Sequence, residues 1–272
     1  MTMKVQPLKG PPPAEVPLPR APLVQVVAQV RFAPILAIGR PDKVVDFQEA
    51  IRSTYPNLTD ERMPHFSVGA NGVPSFAESV IWRFNGGSKS PKWRVSLGVD
   101  FVALETGAYV SRQDFLGRFE LVLNSLQRVF APGEIQRLGL RYVDRIVEDG
   151  LKNIHRLIKP NVLGISMPEE ETSSSLYSAI QHLLTEAHLL AEEGLMQARW
   201  GHLSPNVTYD ETALPALDKS SWVLDLDLFT TTPQPFESAD LLQLTTRFAE
   251  RNYSVFRDMV TEDFLRFYGG NL

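Results

Sequence analysis

An α+β fold, a twisted antiparallel sheet with helices on one side, is what the 272-residue sequence predicts. Three observations carry that expectation. Val24, Val26, Ala28, Val30 and Phe32 alternate with Gln25, Val27, Gln29 and Arg31, the period of two that marks a strand with one buried face. Other stretches hold apolar residues at helical spacing, as in Phe115, Phe119, Val122, Leu126 and Val129. The composition, 43% hydrophobic and 22% charged, is that of an ordinary soluble globular protein.

Taken in order, residues 1–22 carry seven prolines and few bulky apolar side chains, so they form no core and read as an extended, polyproline-like arm. The first strand starts at Leu23. Pro41 and Asp42 open a helix, with Asp42 placed to accept from the first-turn amides, and Val44, Phe47, Ile51 and Tyr55 share one face before Pro56 ends it. Four β-like segments follow, around 66–68, 75–84, 92–99 and 101–106, broken at Asn71-Gly72, at Gly86-Gly87 and at the 99–101 junction. Ser111 with Asp114 resembles a capping box for the helix that runs to Pro132-Gly133.

The second half repeats the order in reduced form. A strand over about 135–148 leads to a helix predicted from Ser174 to Glu193, with Leu176, Ile180, Leu183, Ala187 and Leu190 on one face and Gly194 as its stop. Strands at 195–203 and 222–229 and a helix over 237–259 follow, and Thr261 caps a short last helix. The division expected is therefore an arm at 1–22, a first unit at 23–133 and a second at 134–272 packed on it. This order fits either two pseudo-repeated βαβnα units or one continuous domain.

Composition also excludes whole classes. With no cysteine there is no disulfide framework, thiol nucleophile, zinc knuckle or iron–sulfur cluster. No apolar run approaches the roughly 20 residues of a membrane helix, and no apolar core follows the N-terminal charges, so a cytoplasmic protein with no membrane partner is expected. The five histidines, His65, His155, His182, His188 and His202, have no metal-ligand spacing, and neither a phosphate loop, a nucleophile elbow nor a dinucleotide fingerprint occurs. No cofactor and no catalytic residue is expected. Residues 1–40 hold five basic groups and one acidic, against nine basic and seventeen acidic in 151–272. Five charges over forty residues make no dense polybasic tract, which leaves nucleic acid a weak candidate partner.

The segment that stands out is Arg137-Leu138-Gly139-Leu140-Arg141-Tyr142-Val143-Asp144-Arg145-Ile146. On a strand Arg137, Arg141 and Arg145 share one face at intervals of roughly 13 Å. Such a row needs carboxylates, water or an anionic ligand, because guanidinium stays charged and its fork matches carboxylate and phosphate. Asp225 and Asp227, together on one face of a later strand, are the carboxylates on offer, and cross-strand ion pairs are the simpler expectation. The functional alternative is a face for a partner or an anion, with Arg137, Arg141, Arg145, Asp225 and Asp227 as its residues. Asp225-x-Asp227 is a weak metal signal, since it sits in mid-strand. Trp82, Trp93, Trp200 and Trp222 all fall in predicted strands and read as core.

Two segments, Pro19-Arg20-Ala21-Pro22-Leu23-Val24-Gln25-Val26-Val27 running into Val30-Arg31-Phe32, and the arginine segment above, resemble a sporadically distributed family of uncharacterised bacterial proteins. The resemblance implies a cytoplasmic protein of the kind found with mobile or defence genes, and it supplies no catalytic residues. The expected function is binding of another macromolecule without catalysis, as partner, antidote or sensor in a conflict or phage-defence module. A second protein is the expected partner, and homo-oligomerisation is compatible with a sheet-rich domain. The alternative is a ligand-binding domain or enzyme that holds a phosphate or carboxylate on the arginine strand.

Overall fold

A computed structural model describes residues 6–68, 74–88, 92–166 and 180–272. Its strands are β1 (Leu23–Phe32), β2 (Asn57–Val68), β3 (Pro74–Asn85), β4 (Trp93–Gly98), β5 (Phe101–Thr106), β6 (Glu134–Ile146), β7 (Leu183–Leu190), β8 (Leu195–Leu203), β9 (Ser221–Thr230) and β10 (Gln234–Pro235). They form one open, antiparallel ten-stranded sheet in the order β2-β3-β4-β5-β1-β6-β9-β8-β7, with β10 paired to β6. Together with the helices this is the α+β fold expected. In both halves of the chain the first strand, β1 or β6, lies beside the last strand of the meander that follows it, β5 or β9.

The chain divides into two compact units. One unit holds Val27–Leu140 and Thr230–Thr246, and the other holds the residues up to Val26, Arg141–Phe229 and Arg247–Leu272. The cuts fall within β1, β6 and β9 and within the helix Ser238–Met259.

In the unit containing Val27–Leu140, α1 (Pro41–Ile51) buries Val44, Phe47 and Ile51, and the Phe47 ring lies 5.4 Å from Phe84. Asp42 does not cap it: Arg40 holds the N-cap position, and the Asp42 carboxylate accepts from the Arg40 guanidinium instead. The helix α2 (Arg112–Phe130) starts as expected, with Ser111 Oγ accepting from the Asp114 N–H at 3.1 Å. It ends on Ala131 in the left-handed region, φ 44°, just before Pro132. The β2–β3 hairpin is longer than its sequence suggested. Strand β2 begins at Asn57, directly after Pro56, and pairs with β3 along its whole length, whereas β4 pairs only with Trp82–Asn85 of β3. Asn71-Gly72 lies outside the described residues.

In the other unit β6 passes into three short helical turns, α3 (Glu148–Lys152), α4 (Ile154–Leu157) and α5 (Pro160–Leu163). The helix predicted over 174–193 is overturned where it is described, since Leu183–Leu190 is the edge strand β7, paired with β8 over its full length. Residues 174–179 lie outside the described residues. The error has a physical source. Being an edge strand, β7 is only half covered, so Leu183, Ala187 and Leu190 satisfied a helical period that the strand pairing overrides. Gly194 does not stop a helix but closes a hairpin, its carbonyl accepting from the Ala191 N–H at 2.9 Å. The long helix α6 (Ser238–Met259) and the short α7 (Glu262–Phe267) complete the chain. Thr261 caps α7 as expected, its Oγ1 accepting from the Phe264 N–H at 3.2 Å.

Candidate functional site: an arginine strand and a strapped arm

Arg141 and Asp225 are brought together by the pairing of β6 with β9. The Arg141 Nε donates to Asp225 Oδ1 at 2.8 Å and Nη2 to Oδ2 at 2.7 Å, a bidentate fork. Its Nη1 donates to Asp210 Oδ2 at 2.6 Å. The Tyr209 hydroxyl donates to Asp225 Oδ2 at 3.0 Å, and Arg199, opposite Asp225 in the β8–β9 register, approaches the same oxygen to 3.9 Å while donating to Glu186.

Asp210 and Tyr209 come from the connection 204–220, whose local turn is built by its own side chains. Asp210 Oδ1 accepts from the Thr212 and Ala213 N–H groups, and Thr208 Oγ1 accepts from the Asp210 N–H. This is the Asx-type chemistry that fixes a turn without regular structure. The electrostatics follow. Burial disfavours the Arg141 charge, but Asp225 and Asp210 outweigh it and hold the guanidinium charged well above its ordinary range. Burial would raise Asp210, and the Ala213 N–H with Arg141 instead keeps it below the usual carboxylate range. Burial and then the Asp225 charge push the Tyr209 phenol up.

Arg145, four residues further along the same face, is treated differently. It is only 7% exposed, and it donates through Nε to Ser221 Oγ at 3.1 Å and through Nη1 to the Pro215 carbonyl at 2.5 Å. Both acceptors are neutral, and burial lowers its pKa. Arg137, in the other unit, folds its guanidinium over Gly139, where a Cβ would stand 2.5 Å from Nη1. Asp227 sits half-buried on β9 opposite Gln197. On the opposite face of β6, Asp144 is 8% exposed, and burial, then the nearby Asp225 charge, raise its pKa to about 7.

The described part of the arm, from residue 6, does not hang free. The Tyr253 hydroxyl on α6 accepts from the Val16 N–H at 2.8 Å and donates to the Ala14 carbonyl at 3.3 Å. Arg251, 5% exposed, forks onto Glu193 and donates to the Pro7 carbonyl at 3.1 Å. Arg20 donates through its backbone to the Tyr268 carbonyl and through Nη2 to the Phe267 carbonyl. Most of these contacts reach the main chain of the arm, while Pro11, Pro12, Ala14, Glu15, Pro17 and Pro19 stay exposed.

Sequence reasoning found Arg141 and Asp225 but missed Asp210, Tyr209 and Arg199. The first two lie in a long connection whose partners only the fold reveals, although Asp210-Glu211-Thr212 after Thr208 was a readable turn signal. The described residues contain no group of three or more His, Asp or Glu side chains arranged to hold a metal ion. Compared with known proteins, the chain matches no family model, no curated protein and no solved structure.

Proposed function

We propose that the chain acts without catalysis, by binding another protein, and that the proline-rich arm is the element that meets it. The observation supporting this is the way the arm is held. Its main chain is engaged by Tyr253, Arg251 and Tyr268, while Pro11, Pro12, Pro17, Pro19 and Glu15 are exposed. A polyproline segment is pre-extended and loses little entropy on recognition, which suits it to carry contacts on its exposed side. A role as partner, antidote or sensor in a conflict or phage-defence module is the setting that the family resemblance suggests.

Affinity capture of the tagged full-length chain from its native cells, read by mass spectrometry, tests the reading. A stoichiometric protein partner should be recovered, and a synthetic peptide of residues 6–22 in excess should release it. Recovery that is indifferent to the peptide and to Pro11→Ala/Pro12→Ala in the full chain would remove the arm from the proposal.

A further inference from the structure

Arginine cannot shed its proton inside a protein, so a buried guanidinium needs a counter-charge or a full set of acceptors. Two arginines among the described residues are buried, Arg145 and Arg251, and they differ on this point. Arg251 has the Glu193 carboxylate in a fork, with Glu192 3.6 Å away. Arg145 has a serine hydroxyl and a backbone carbonyl. Of its five N–H groups those two acceptors engage one on Nε and one on Nη1, and Nη2, engaged by neither, is not a buried orphan but the edge of the fork that solvent reaches.

The carboxylates nearby are committed elsewhere. Asp225 and Asp210 belong to Arg141, and Glu148 is paired with Lys219 at 2.5 Å. Asp144 is adjacent in sequence, but successive residues of a strand point to opposite faces. The wall beside Arg145 is the connection 204–220, held in place by the Asp210 turn and by Thr208 Oγ1, which donates to the Leu214 carbonyl. Loops of this length inside a compact unit are usually either functional or disordered, and side-chain hydrogen bonds fix the course of this one.

We propose that Arg145 receives a small oxyanion, the phosphate or carboxylate head group of a ligand whose remainder lies outside the connection 204–220. The ion completes the guanidinium's donor set, with Ser221 and Pro215 acting as positioning groups that fix the orientation of the fork. The site narrows the anion reading of the arginine strand to one residue, because Arg141 already has its carboxylates. It is independent of the role of the arm.

The test uses the full-length, 15N-labelled chain, with sodium phosphate and sodium acetate titrated separately at an ionic strength held constant with sodium chloride. The readout is the side-chain Nε–H resonance of Arg145, identified by its loss in Arg145→Lys or, should that variant not fold, by its displacement in Ser221→Ala. A saturable shift of this resonance, accompanied by a rise in Tm, is the expected result. Response to phosphate alone identifies a phosphate ester as the ligand class, response to acetate alone a carboxylate, and response to both a general oxyanion site. Arg145→Lys keeps the charge without the fork and should weaken binding by about tenfold. A resonance that neither anion moves overturns the proposal, as does a Tm gain that persists unchanged in Arg145→Lys.

Discussion

Arg141 and Arg145 stand four residues apart on one face of one strand, yet the protein surrounds them in opposite ways. The first is locked by two carboxylates and shares one of them with Tyr209 and Arg199. The second rests on a hydroxyl and a carbonyl. An arginine row in a sequence is therefore not one feature. Its members acquire their roles from whatever the neighbouring strand and loop place opposite them, here Asp225 for one and Ser221 for the other.

The largest effect expected is from Arg141→Met. It strands Asp225, whose side chain is 2% exposed, without its fork. Breaking a buried pair from one side costs about 3–5 kcal/mol, measurable by urea unfolding. A loss below about 1 kcal/mol would erase the contrast with Arg145.

Asp144→Asn comes next and has a pH signature. The folded pKa is raised from 3.8 to about 7, so the stability tied to the neutral carboxyl is full below about pH 4 and is lost as pH rises towards 7. The variant lacks this loss. Its advantage over the wild type should grow between pH 4 and 7 and then level off, reaching at most about 4 kcal/mol, in thermal melts across that range. A pH-independent difference would mean that Asp144 is not held neutral by burial.

In phosphate-free buffer Arg145→Met should change stability by only about 1 kcal/mol in either direction, since lost hydrogen bonds offset the removal of an unpaired buried charge. A loss as large as that of Arg141→Met would show the two sites to be equivalent. Tyr253→Phe should have the smallest global effect, about 1 kcal/mol or less. It should nevertheless accelerate amide exchange and proteolysis around Ala14–Val16, where the hydroxyl holds the main chain.

Much of the fold was legible because its elements bury a whole face. Strand β1, α1 and α2 announced themselves through Val26, Val30 and Phe32, through Val44, Phe47 and Ile51, and through Phe115 and Phe119, and the Ser111 and Thr261 caps were read from single residues. Half-covered elements were not legible. Along β7 Leu183 and Ala187 are partly buried and Leu190 is 79% exposed, so the apolar pattern had no single face to report. Of the site, the Arg141–Asp225 pairing was readable from two alternating strands. The loop residues Tyr209 and Asp210, and the main-chain contacts of the arm, depend on proximity in space, which local patterning does not encode.

The position of β1 bears on how the chain is made. Its backbone partners are late: the Phe32 N–H donates to the Asp100 carbonyl, and the carbonyl of Pro22, the residue just before the strand, accepts from the Arg145 N–H. While the polypeptide emerges N-terminus first, Val26, Ala28, Val30 and Phe32 must wait for β5 and then β6 before both edges of the strand are satisfied. Such non-local closure slows folding and leaves an apolar, unpaired strand open to wrong associations. A nascent chain released before Ile146 would expose that strand, which makes truncated products of this protein natural clients for chaperones.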